Sequence, residues 1–332
     1  MIAAGNAAAQ PAGSSPPNMP SPEQPPAAAP APQLSIIIVT HNSAGVIGAC
    51  LRSLYRSDPA LALEVIVVDN ASSDGTVDLV QQQFANTRVI PANGNIGYAA
   101  GNNLGFAAAR APWLLMLNPD TEARAGALQA MLNAAGRRPE LGMLAPRLVF
   151  SDGTLQHSTF RFPDIAQAFY GFFEKLVPLN SVANGRYPTA AYEHEHEVEH
   201  ILGAAILVRR TLWQQTGGLD EGFALYFEET DWCRRAQLAG WQLWYTPDAV
   251  IMHIGAHATS RQPERSTVLF ARSQARFFRK QYGAGWYLVL KLITVAGLLY
   301  WLARSLYAWL QQRIDGATLA RRGASYWQIL VS

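Results

Sequence analysis

Asp69 and Asp120 stand where two apolar runs stop, and each opens a polar loop. A third acidic stretch, Phe227-Glu228-Glu229-Thr230-Asp231, sets three carboxylates close together. A carboxylate fixed at a strand end can ligate a hard divalent cation or accept hydrogen bonds from a base or ribose. A carboxylate beside a reacting carbon can take the proton of an attacking hydroxyl. After the first apolar run, Thr40, His41, Asn42 and Ser43 supply side chains able to hydrogen-bond a base, and Asp69, Asn70, Ser72, Ser73 and Asp74 follow the second. The polar loops suit a nucleotide diphosphate. Each group also has a plainer role: Asp69 in a turn, Asp120 as a helix cap, and the acidic stretch as carboxylates at a helix N-terminus.

The elements that must position these residues read as alternating strands and helices. Strands are expected at 34–39, 64–68, 88–90 and 113–117, with helices at about 46–56, 76–84 and 102–110. The strand at 64–68 is nearly all β-branched, as suits a parallel strand covered on both faces. This order argues for right-handed βαβ units, in which ligands bind beyond the carboxyl ends of the strands. His41, Asp69 and Asp120 all fall there.

Composition narrows the classes. The 332 residues are 49% apolar and carry a net charge of +2, which leaves no nucleic-acid footprint. Cys50 and Cys233 lack CxxC spacing, so neither a disulfide framework nor a zinc knuckle is expected, and a reducing cytosol is the simplest compartment. Residues 1–33, rich in Ala and Pro with one charge at Glu23, read as a disordered tail. From 282 to 303 the one charge is Lys291, and basic residues flank the stretch on both sides. A helix lying in or on an anionic membrane surface fits that symmetry.

The ordered blocks resemble those of the inverting family-2 glycosyltransferases with a GT-A fold, in particular a rhamnosyltransferase-like branch, over about 34–279. They are Ile38-Val39-Thr40-His41-Asn42, residues 67–76, Asn95-Ile96-Gly97 through Asn103, Leu117-Asn118-Pro119-Asp120-Thr121, residues 203–210 beginning Gly203-Ala204, and residues 217–240. The resemblance implies that Thr40, His41, Asn42, Asp69, Asn70, Asn95, Gly97, Asn102, Asn118, Gly203 and Ala204 contact the donor or its pocket. It implies that Asp120 and His253 hold a divalent metal, Mn²⁺ or Mg²⁺, with imidazole favouring Mn²⁺. Asn118-Pro119-Asp120 replaces the usual Asp-x-Asp, leaving one anionic ligand there. Glu229 stands where the family places its catalytic base, with Asp231 as the other candidate. The implied reaction moves a sugar from a UDP- or dTDP-sugar, dTDP-rhamnose first among them, to a lipid-linked or polysaccharide acceptor at the cytoplasmic face of the membrane.

The expected fold is therefore α/β, a GT-A type Rossmann-like and mostly parallel sheet with helices on both faces. Residues 34–150 form the nucleotide-sugar half, 151–280 the acceptor and catalytic-base half, and 281–332 a membrane-associated helical tail. Two other classes remain. A nucleotidyltransferase would want a basic, glycine-rich loop after the first strand, and residues 41–45 have no Lys or Arg. A non-catalytic nucleotide-sugar-binding membrane protein would keep Asp69 and Asp120 and not need Glu229. His196-Glu197-Val198-Glu199-His200 spells the zinc-protease His-Glu-x-x-His. Its alternating polar and bulky residues favour a strand over the helix that chemistry needs, so both histidines are expected on surface strands. Gly97, Gly101 and Gly105 lack the spacing of a dinucleotide fingerprint and suit either close helix packing or passage of the nucleotide.

Overall fold

The first two strands, β1 (Leu34–Thr40) and β2 (Leu63–Asp69), are buried almost throughout and pair in parallel, Ile36 against Val65 and Thr40 against Asp69. Runs of Ile and Val with no solvent face can be satisfied only inside a layered sheet. In this computed structural model the described residues are Met1, Ile2, Gly5, 31–176, 184–255 and 263–331. The expected disordered tail at 1–33 lies almost wholly outside them.

Helix α1 (Ala44–Ser57) joins β1 to β2; α2 (Thr76–Gln83), β3 (Thr87–Pro91), α3 (Tyr98–Ala108) and β4 (Trp113–Leu117) continue the alternation. Next come β5 (Thr121–Ala123), α4 (Ala127–Gly136), β6 (Leu141–Val149), β7 (Leu155–Gln156), β8 (Thr159–Phe160) and α5 (Ile165–Phe173). After a 3₁₀ turn at Thr189–Glu193 follow β9 (His196–Glu197), β10 (His200–Ile201), β11 (Ala205–Arg209), α6 (Arg210–Thr216), α7 (Glu228–Leu238) and β12 (Gln242–His253). The chain ends in α8 (Pro263–Gln281), α9 (Gly283–Leu310) and α10 (Gly316–Leu330).

The main sheet runs β3-β2-β1-β4-β11-β6-β12-β5, with β7 beside β6 and β9 beside β12. It is mixed: β1, β2, β3 and β4 are mutually parallel, whereas β11 is antiparallel to both β4 and β6. The halves expected at 34–150 and 151–280 therefore share one sheet. One apolar cluster of Ile37, Val39, Phe106, Tyr192, Trp232 and Phe277 fills one side, and another of Ile36, Ile38, Leu51, Val67 and Leu128 fills the other.

Helix α3 begins at Tyr98, four residues before the expected start. Glycines lower intrinsic helix propensity, but packing overrides it. A Cβ at Gly101 would meet Val39 Cγ1 at 2.8 Å, and one at Gly105 would overlap Ile37 Cγ2. These two glycines bring the helix onto β1, which answers the question the sequence left open. Gly97, at φ +88°, turns the chain into the helix.

Candidate functional site

Two loops at the carboxyl edge are locked to each other. Thr40 Oγ1 donates to Asp69 Oδ1 at 2.9 Å, while the Ser72 amide donates to Asp69 Oδ2 at 2.9 Å and Ser72 Oγ to Oδ1 at 2.5 Å. Asn42 (φ +53°) and Ala71 (φ +58°) both take the left-handed conformation. The Asn42 amide donates to Ser72 Oγ, and Asn42 Oδ1 accepts from the Ser73 amide, each at 2.9 Å. His41 Nδ1 donates to the Asn70 carbonyl at 2.8 Å. Thr40, Asn42 and Asp69, expected to face the nucleotide, carry the loop scaffold. Asn70 Nδ2 donates to the Gly97 carbonyl at 3.0 Å and Asn102 Nδ2 to the Tyr98 carbonyl at 2.9 Å, while Oδ1 of each asparagine is buried without a protein partner. Asn95 Oδ1 accepts from the Gly97 amide at 3.1 Å. These contacts bring His41, Asp69, Asn70, Gly97 and Asn102 into one corner.

A second corner forms because β5 pairs antiparallel with β12, setting His253 opposite Thr121. The Ile254 amide donates to the Asp120 carbonyl at 3.1 Å. Residues far apart in sequence thereby stand side by side, with Asp120 Oδ1 3.3 Å from His253 Nε2. His253 Nδ1 lies 3.0 Å from Gln156 Oε1, so the ring donates its Nδ1 hydrogen there and turns Nε2 toward Asp120. A carboxylate and an imidazole, the latter oriented by an outer amide, are a donor set that fits a divalent cation. Among the described residues no group of three His, Cys, Asp or Glu surrounds this point. A cation there would draw its remaining ligands from the diphosphate and water.

The acidic stretch opens α7, and its side chains diverge. Asp231 is fully buried and accepts from Arg235 Nε at 2.8 Å, Lys280 Nζ at 2.9 Å and Gln281 Nε2 at 2.7 Å. The second candidate base is thus held by three donors, Arg235 of its own helix and Lys280 and Gln281 of α8. Glu229 instead lies against Gly203, where a Cβ would sit 3.5 Å from Glu229 Oε1. Burial raises the Glu229 pKa, opposed by nearby backbone amides that include those of Gly203 and Thr230. Glu228 is pushed well above the usual carboxylate range by burial first and by the charge of Glu229 second. Oε2 of each has no hydrogen-bond partner.

Tyr98 ties these corners together. Its hydroxyl lies 2.6 Å from the Gly203 carbonyl and 3.1 Å from Asn118 Oδ1, and the Asn118 amide donates to the Ala204 carbonyl at 2.9 Å. Burial first, and then the charges of Glu228, Glu229 and Asp120, drive the phenol pKa well above 10.0. Tyr98 and Glu228 stood in the sequence only as members of motifs with no role of their own, and Gln156 was not singled out. Tyr98 lies within the Asn95–Asn103 block, and Glu228 adjoins the expected base, but Gln156 on a two-residue strand has no local signal.

The His-Glu-x-x-His decoy resolves into strands. His196 is on β9 and His200 on β10, and neither histidine is on a free surface. His200 stacks between Phe160 and Phe162, and burial pulls its pKa down to about 4. His196 packs against Tyr187, Tyr192 and Tyr245.

The family model for Glycosyl transferase family 2 matches residues 35–198, the span that holds the locked loops, Tyr98 and Asp120. The chain carries a family-2 glycosyltransferase domain. It is 29% identical over 265 residues to N-acetylglucosaminyl-diphospho-decaprenol L-rhamnosyltransferase of Mycobacterium tuberculosis, covering 76% of this chain and 86% of the relative. Among solved structures it resembles the mannosyltransferase PcManGT of Pyrobaculum calidifontis in complex with GDP-Man and Mn²⁺, with TM-score 0.54 and 19% identity, over 93% of this chain and 89% of that one. It also resembles GalNAc-T7 with UDP, GalNAc and Mn²⁺, with TM-score 0.55 and 12% identity, over 75% of this chain but 48% of that one. Identities this low speak to fold alone, and the fold they share with the family-2 domain is the GT-A type expected.

Proposed function

We propose that the enzyme is an inverting glycosyltransferase that moves a sugar from a UDP- or dTDP-sugar, dTDP-rhamnose first among candidates, to a lipid-linked or polysaccharide acceptor in cell-surface glycan synthesis. The observation that carries this reading is the convergence of Glu229, Asp120 and His253 about Tyr98 and Gly203 at the carboxyl edge of the sheet. The base stands beside the corner that suits a diphosphate. The mycobacterial relative, named for rhamnosyl transfer onto a diphospho-decaprenol acceptor, supports the choice of donor and acceptor.

In the proposed reaction the acceptor oxygen attacks C1 of the donor sugar from the face opposite the diphosphate. Glu229 takes the hydroxyl proton as the new C–O bond forms, and the old C1–O bond breaks with its electron pair leaving on the nucleoside diphosphate. Inversion follows from a single displacement, without a covalent sugar intermediate. Asp120 and His253 would hold a divalent cation, which when bound supplies charge neutralisation for the departing diphosphate. The orphaned Asn70 and Asn102 carbonyl oxygens offer acceptors for donor N–H or O–H groups.

The reading also places the enzyme at the cytoplasmic face of the membrane. Helix α9 is long and apolar enough to cross a bilayer. One face packs on α5, where Trp301 Nε1 donates to the Phe172 carbonyl at 3.1 Å, and on α8 and α10. Its other face exposes Leu288, Leu292, Val295, Leu299, Leu306 and Leu310 at helical spacing. An apolar groove of about 190 Å³ between α9 and α10 is lined by residues including Leu298, Leu302, Tyr326 and Trp327. Arg304, Arg313 and Arg321 are exposed nearby in sequence. A helix with one face on protein and one bare suits an in-plane position at an anionic surface.

The test is calorimetry of UDP, dTDP, GDP and ADP with and without Mn²⁺, repeated with Asp120→Ala. Metal-dependent binding of UDP or dTDP that disappears in the variant is the expected result. Binding indifferent to Asp120 would overturn the metal corner, and no nucleotide binding at all would overturn the function.

A further inference from the structure

The backbone immediately before the proposed base is strained in an unusual way. Tyr226 and Phe227, two consecutive bulky residues, stand at φ +68° and φ +67°. L-residues with a Cβ avoid this region, and strain of this kind persists only where the surroundings over-determine it. The turn it makes delivers Glu228 and Glu229 into the site at the start of α7.

Much of what holds this turn comes from α8. Phe270 lies edge-on to both Tyr226 and Phe227, at 5.9 Å and 5.2 Å, and Phe277 packs on Phe227 at 5.5 Å. Ser273 Oγ donates to the Leu225 carbonyl at 2.7 Å. One turn further on, Lys280 Nζ bridges Asp231 at 2.9 Å and Asp220 at 2.6 Å, and Gln281 takes the other oxygen of Asp231. Residues 270, 273, 277, 280 and 281 share one face of the helix. That face grips the chain on both sides of Glu229: through the aromatic turn before it and through Asp231 after it.

We infer that α8 is a positioning clamp for the catalytic base, in which Phe270 and Lys280 fix the left-handed Tyr226-Phe227 turn and Asp231 so that Glu229 faces the acceptor. The inference rests on the glycosyltransferase reading and extends it to residues that touch neither substrate nor metal. Asp231 becomes a positioning residue. Because α8 passes through Tyr282 directly into α9, the clamp also ties base placement to the seating of the helix proposed to meet the membrane. A clamp acting in this way is a route by which membrane docking would set turnover.

The test compares full-length wild type with Phe270→Ala, Lys280→Met and Lys280→Arg. Phe270 is 46% exposed and Lys280 is partly exposed, so neither change opens the core. The readouts are turnover of dTDP-rhamnose with a synthetic prenyl-diphospho-N-acetylglucosamine acceptor, Kd for dTDP by calorimetry, and thermal melting. The expected result is a fall in kcat of about tenfold or more for Phe270→Ala and Lys280→Met, since an ångström of misplacement is enough for such losses. Donor KM, dTDP Kd and cooperative melting should stay as in wild type, and Lys280→Arg should recover most of kcat. Wild-type kcat in both disrupting variants would overturn the clamp while leaving the glycosyltransferase reading standing. Equal losses in kcat, dTDP affinity and melting cooperativity would also overturn it, by showing a general structural role. Failure of wild type to bind dTDP or turn over donor would remove the underlying reading and the clamp with it.

Discussion

Glu229→Gln and Glu228→Gln, made in parallel, separate two adjacent buried acids that should behave oppositely. Burial raises both carboxyl pKa values, and the charge of Glu229 lifts Glu228 further. The two carboxyls titrate as a pair, and on the glycosyltransferase reading Glu229 is the one that must ionise, so Glu228 is expected to hold the proton the pair shares. Gln is shaped like a protonated carboxyl group, so Glu228→Gln mimics the working state and should preserve turnover. Glu229→Gln removes the proposed base. The expected loss in kcat/KM is ~10²–10⁴-fold, or about 2.7–5.4 kcal/mol of transition-state stabilisation at 1.36 kcal/mol per decade. The assay is initial-rate release of nucleoside diphosphate across a pH series. In wild type, activity should fall as pH drops through the raised Glu229 pKa, so the acid limb should lie above the ordinary value of 4.5. Stability runs the other way. A carboxyl whose folded pKa is raised contributes stability below its unfolded pKa and loses it as pH rises through the folded value. Glu228→Gln, which cannot ionise, should gain melting temperature relative to wild type as pH climbs above 4.5. Turnover in Glu229→Gln equal to wild type, or Glu228→Gln crippled as badly as Glu229→Gln, would refute the reasoning.

Tyr98→Phe removes the hydrogen bond to Gly203 and the contact with Asn118, and should cost about 1–3 kcal/mol in denaturant melts because buried acceptors are left unpaired. Its turnover should fall with stability. Gly105→Ala drives a Cβ into Ile37 and should destabilise by about 1–3 kcal/mol without altering the polar site, read by the urea midpoint. Gln156→Leu takes away the acceptor of His253 Nδ1 and should weaken Mn²⁺-dependent nucleotide binding by about 10–100-fold, measured by calorimetry. Glutamates placed together at Leu288, Leu292 and Leu299 should abolish flotation with anionic vesicles, and unchanged flotation would remove the in-plane docking face.

The sequence by itself determined where backbone had to be buried and where it had to stop. Runs of Ile, Val and Leu with no polar face require strands covered on both sides, and the polar residues that end them must lie at the sheet's edge. Asp69, Asp120 and the acidic opening of α7 were legible for that reason. Local chemistry could not say which residues meet across the fold. His253 reaches Asp120 through the antiparallel ladder of β5 and β12, and Gln156 reaches His253 from a two-residue strand. The start of α3 was set four residues late because nothing local shows that Gly101 and Gly105 pack on β1; a Cβ at either would run into Val39 or Ile37. The orientation of Glu229 and of Asp231 is likewise tertiary. Two residues apart on a helix they point about 200° apart, so only one can face the cleft. Which one does is set by the left-handed turn at Tyr226-Phe227 and by Lys280 and Gln281 of α8, which lie about fifty positions further along the chain.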